Sequence, residues 1–69
     1  MSRFDIAWEN MKHTALGLAE RRCVPTHEEA CRAAAGIVND LEIGPAQNTG
    51  IIEFFAHELE ERVRTLTRA

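Results

Sequence analysis

The sequence predicts an all-α fold, a short antiparallel bundle of two or three helices completed by dimerisation, and three observations predict it. Apolar residues recur at spacings of four and three in three stretches: Phe4, Trp8, Met11, Ala15 and Leu18; Ala30, Ala34, Ile37 and Leu41; and Ile52, Phe55, Leu59 and Leu66. Each set therefore falls along one face of a helix. Helix start signals stand at Ser2 and Thr26, and stop signals at Val24-Pro25 and Gly44-Pro45. Finally, 69 residues make a single domain, residues 1–69, and a chain of that size buries only about 60% of its unfolded surface. A thin core of this kind gains most from a second subunit.

The first helix is expected over about residues 3–22. Ser2 and Asp5 have the spacing of a capping box, in which the hydroxyl accepts from the Asp5 amide and the carboxylate reaches back. Gly17, flanked by Ala15 and Ala19, is expected to permit a close helix contact, since an interior glycine otherwise costs about 1 kcal/mol. Pro25 disfavours helical geometry at Val24 and ends the segment.

The second helix, about 27–42, opens on Thr26 with Glu29 three residues on, and Glu28 and Glu29 face the positive end of the helix dipole. Its small residues, Ala30 to Ala35, suit close approach by a neighbour. The third helix, about 50–67, starts between Asn48 and Gly50. Glu53 is expected in its first turn and Arg62, Arg64 and Arg68 in its last, matching the dipole at both ends. Short joins force the helices to fold back on one another. The rival arrangement is a hairpin of helices two and three, with helix one crossing to a second subunit.

Some apolar residues fall off these stripes. Ile6 and Leu16 lie on the far side of the first helix and are expected at a dimer or second interface. Ile51 and Phe54, beside Phe55, are expected to bind a partner, with Trp8 and Arg3 as supporting contacts. Burying a side chain of this size contributes about 1.5–3 kcal/mol, and aromatic residues dominate contact centres.

The candidate chemistry is sparse. Cys23, His27 and Cys31 are spaced by four, and His27 and Cys31 share a helical face, as zinc ligands could. Pro25 places Cys23 outside that helix, and a fourth ligand would have to come from His13, His57 or a carboxylate, so no metal and no cofactor is expected. His57-Glu58 begins like a zinc-protease helix, but position 61, where the second histidine belongs, is glutamate. Glu58, Glu60 and Glu61 with Arg62 and Arg64 read as a solvated face of mixed charge. No enzymatic activity is expected.

Two cysteines are too few for a disulfide framework, and no secretory signal or long apolar run is present, which predicts a cytoplasmic protein without a membrane span. The net charge is −3, concentrated in Glu28, Glu29, Asp40 and Glu42 against Arg32 alone in the second helix. A surface of that sign repels phosphate, so direct binding to nucleic acid is not expected.

Residues 25–66 resemble small helical anti-activators of bacteria and phages. The resemblance rests on Pro25-Thr26-His27-Glu28-Glu29-Ala30 opening one helix, a short polar linker, and Phe54-Phe55-Ala56-His57-Glu58-Leu59 in the next. Such proteins bind quorum-sensing transcriptional activators and keep them off DNA, and no site residue is carried over from them. The expected function is thus a non-enzymatic, homodimeric protein-interaction module that regulates or inhibits a partner, plausibly a transcription factor, by sequestration. The alternatives are a small helix-turn-helix repressor that binds DNA directly, and a zinc-stabilised helical domain.

Overall fold

A computed structural model describes residues 2–40 and 49–68 of the chain, and these form three packed helices, α1 (Arg3–Glu20), α2 (His27–Asp40) and α3 (Thr49–Arg68). The protein is a small all-α bundle. Both expected capping boxes are formed. Ser2 Oγ accepts from the Asp5 amide at 3.2 Å while the Ser2 amide donates to Asp5 at 3.3 Å. Thr26 Oγ1 accepts from the Glu29 amide at 3.2 Å and the Thr26 amide donates to Glu29 Oε1 at 3.0 Å. Each box satisfies amides that the first helical turn leaves without a partner.

α1 ends before the expected boundary, and the backbone explains why. Arg22 takes a left-handed conformation, φ 52°. Its amide donates to the Ala19 carbonyl at 3.0 Å and that of Cys23 to the Leu18 carbonyl at 2.9 Å. This pair of bonds is a Schellman turn, normally built with glycine at the left-handed position. The helix is therefore closed two residues before Val24-Pro25 can act on it. The expected extension of α2 to Glu42 lies outside the described residues.

α3 is the central element. It packs extensively against α1 on one side and α2 on the other, while α1 and α2 touch each other little. Principal extents of 35 × 26 × 14 Å describe a flattened body, and three helices side by side at spacings of about 8–10 Å account for the middle dimension. Contacts fix the directions. Phe4 meets Phe55 and Trp8 lies under Arg62, so α1 and α3 run parallel. His27 reaches Glu60 and Cys31 reaches Glu53, so α2 runs against them. The first helix thus packs on α3 of its own chain, in place of the rival hairpin.

The core comprises Ala7, Met11 and Ala15 from α1, Ala30, Ala34 and Val38 from α2, and Phe55, Ala56, Leu59 and Val63 from α3. Alanine predominates on α1 and α2, which lets both come close to the larger side chains of α3. Three expectations fail here. Phe4 and Leu66, placed on the stripes, remain 43% and 44% exposed. On α1 Ala7 takes the place of Phe4, because with α3 in the middle an outer helix needs only a narrow buried line, and on α3 Val63 is the last buried residue. Gly17 makes no close packing: a Cβ built there would meet nothing within 4 Å. The expected dipole match is lost at both ends of α3: Glu53 is its fifth residue, beyond the first turn, where it faces α2, and of the three arginines only Arg68 lies in the last turn.

Candidate functional site

The two flanks of α3 carry different chemistry. Along the α1 flank runs an aromatic seam. Phe4 and Phe55 have ring centroids 5.5 Å apart, Phe54 and Phe55 5.8 Å, and Trp8 stacks on Phe54 at 6.0 Å with the ring planes 22° apart. The Arg62 guanidinium lies over the Trp8 indole, 5.2 Å from its centroid, with Nε buried and without a hydrogen-bond acceptor among the described residues. Phe55 is the fully buried floor of this seam, and Trp8 is half-buried above it. Phe54 stands 47% exposed at its rim.

The expected contact residues therefore divide. Phe54 is a surface anchor, and Trp8 presents one edge. Arg3, Ile6 and Leu16 are exposed. Phe55 cannot touch a partner, since it is wholly enclosed, and this corrects its assignment as a contact residue. Ile51 is also drawn inward, partly buried against the core. Ile6 and Leu16 lie on the outer side of α1, ten residues or about 15 Å apart, and outside the seam. The sequence reading missed Phe4 and Arg62, assigning the first to the core and the second to a solvated face. The spacing of Trp8 and Arg62 across two helices left no trace in either segment.

Along the α2 flank four polar groups converge. His27 Nδ1 lies 3.0 Å from Glu60 Oε2, and His27 Nε2 lies 3.3 Å from Glu53 Oε2 and 3.5 Å from Cys31 Sγ. Cys31 Sγ is 3.9 Å from Glu53 Oε1. The Glu60 side chain is only 11% exposed, so it belongs to the interior and not to the solvated face assigned to it. Its position could have been read: four residues after Ala56 and three before Val63, it continues the buried line of α3. A carboxylate can only accept, so Nδ1 carries the proton that joins the two groups. The hydrogen bond from His27 to Glu60, and then the charges of Glu60 and Glu53, raise the His27 pKa above its ordinary value. Cys31 is raised as well, by partial burial first and by the two carboxylates second. Cys23 is exposed and is no part of this cluster. Glu53 and Glu60, which are, were not expected at it.

An open depression of about 290 Å³ near the end of α3 is lined by Glu58, Glu61, Arg62, Thr65 and Leu66, all on one helix. No described helix is long and apolar enough to cross a membrane. No protein-family model, curated protein or solved structure matches this chain.

Proposed function

We propose that this chain is a non-enzymatic protein-interaction module, homodimeric, that regulates a partner protein by covering one of its functional surfaces. The observation that carries this reading is the aromatic seam, where Phe4 and Phe54 hold fixed positions in a ring cluster yet remain 43% and 47% exposed. Large aromatic side chains left in water forgo stabilisation that a contact recovers. Trp8 and Arg62 beside them are the residue types that dominate contact energies. Stacking fixes the rings beforehand, so little side-chain freedom is lost on docking.

The net charge of −3 favours a partner surface with basic residues around an apolar centre. The nucleic-acid-binding face of a transcriptional activator has that character, and covering it needs no chemistry beyond contact.

Sedimentation of the wild-type chain and of Phe54→Asp at matched concentrations tests the proposal. The wild type should sediment as a dimer or bind a DNA-binding protein stoichiometrically, and the variant should keep its helical signal while losing that association. A wild-type chain that stays monomeric at high concentration and retains the same host proteins as Phe54→Asp would refute the assignment.

A further inference from the structure

We propose that His27 Nε2, Cys31 Sγ and the Glu53 carboxylate form a three-ligand site for a divalent cation of the zinc class at the seam of α2 and α3, with Glu60 as its positioning residue. The three donor groups lie within 4.8 Å of one another. Individual separations are 3.3 Å for Nε2 to Glu53 Oε2, 3.5 Å for Nε2 to Cys31 Sγ and 3.9 Å for Cys31 Sγ to Glu53 Oε1. Zinc bonds of about 2.0–2.3 Å at tetrahedral angles set nitrogen and oxygen donors about 3.4 Å apart, and pairs that include sulfur about 3.6 Å. A turn of the exposed Glu53 carboxylate that brings one oxygen to both neighbours, with the donors drawn together from within 4.8 Å, gives the match.

Glu60 already holds the His27 ring in the orientation a cation needs. Because Nδ1 donates to the buried Glu60 carboxylate at 3.0 Å, the neutral ring must present its Nε2 lone pair toward Cys31 and Glu53. A histidine that ligates zinc through one nitrogen and donates the other N–H to a carboxylate is the usual arrangement at such sites. The imidazole, thiol and carboxylate converge on one point, where a cation can replace the protons that otherwise join them. On binding, the Cys31 thiol releases its proton to solvent and no electrons are transferred. Thiolate and carboxylate then balance the two charges of the cation. A thiolate–imidazole–carboxylate set favours zinc over magnesium or calcium, which prefer oxygen donors alone. His27 and Glu53 are exposed, so water completes the coordination.

The site lies on the opposite flank of α3 from the aromatic seam, and it stands or falls independently of the interaction proposed above. Its test is titration of the full, reduced chain with cobalt(II), followed by competition with zinc(II). One equivalent per chain should produce the intense visible bands of tetrahedral cobalt and a near-ultraviolet thiolate-to-cobalt band, both bleached by zinc. Cys31→Ser should abolish the near-ultraviolet band, Glu53→Gln should weaken affinity at least 10-fold, and Glu60→Gln should weaken it about 10–100-fold. Cys23→Ser should leave the spectrum unchanged. Absence of the bands in the wild type overturns the site. So does equal loss in Cys23→Ser and Cys31→Ser, or a stoichiometry of half an equivalent per chain. Circular dichroism of each variant separates loss of ligand from loss of fold, and Glu53→Gln, at an exposed position, keeps the test open if Cys31→Ser unfolds.

Discussion

Glu60 Oε2 lies 3.0 Å from His27 Nδ1, joining a carboxylate on the buried line of α3 to the first residue of α2. The contact explains how a charged residue is accommodated among Ala56, Leu59 and Val63, since a buried carboxylate persists only with a partner. Arg64 Nη2, 3.8 Å from the other oxygen, is a weaker second neighbour.

That contact makes stability depend on pH with a definite sign. Groups facing His27 are Glu53 and Glu60 from α3 and Cys31 from its own helix. Because the folded-state pKa of His27 is raised, its contribution is fully present below about pH 6.5, the unfolded value. It is lost as pH rises through the folded value. In chelator-treated protein, the melting temperature of the wild type relative to His27→Gln should therefore decline from about pH 6.5 upward. Saturating zinc should give the opposite slope, because ligands must be deprotonated to bind. A wild-type difference that is flat in pH without metal would remove the charged His27–Glu60 pair from the account.

Arg22 pays a conformational penalty at φ 52° that glycine would not. Arg22→Gly should stabilise the chain by about 1 kcal/mol, allowing for the extra freedom of glycine in the unfolded state. Urea denaturation measures it directly, and Arg21→Gly, at an ordinary helix-end conformation with φ −85°, should show no gain. Equal behaviour of the two variants would refute the strain.

Gly17 and Gly36 face open space, with no atom within 4 Å of an added Cβ. Each should gain up to about 1 kcal/mol on replacement by alanine, the ordinary difference in helix propensity. Thermal melts at low concentration, where any self-association is dispersed, give the intrinsic value. A loss of stability at either position would contradict the open surroundings.

Adjacent phenylalanines should respond differently. Phe55→Ala removes the largest fully buried side chain and should cost about 3–5 kcal/mol, enough to unfold a domain of this size. Phe54→Ala should cost less, about 1–3 kcal/mol for half-burial and ring stacking, while weakening association. Chemical denaturation and sedimentation on the same samples separate the two effects, and equal destabilisation would place Phe54 in the core.

The features legible in the sequence are local. Ser2 with Asp5 and Thr26 with Glu29 announce their helices because a capping box closes within four residues. The spacing of Met11 and Ala15, or of Phe55 and Leu59, places them on buried lines because helical periodicity is a property of one segment. Which helix lies in the middle depends on packing between segments. Once α3 is flanked on both sides, Glu53 and Glu60 turn toward His27 and Cys31, Arg62 covers Trp8, and Phe4 stays near the surface. Each of these relations joins residues more than twenty positions apart, or follows from the order of helices across the body. The physical reason is that a helix carries its own face in its periodicity but not the identity of the face it meets.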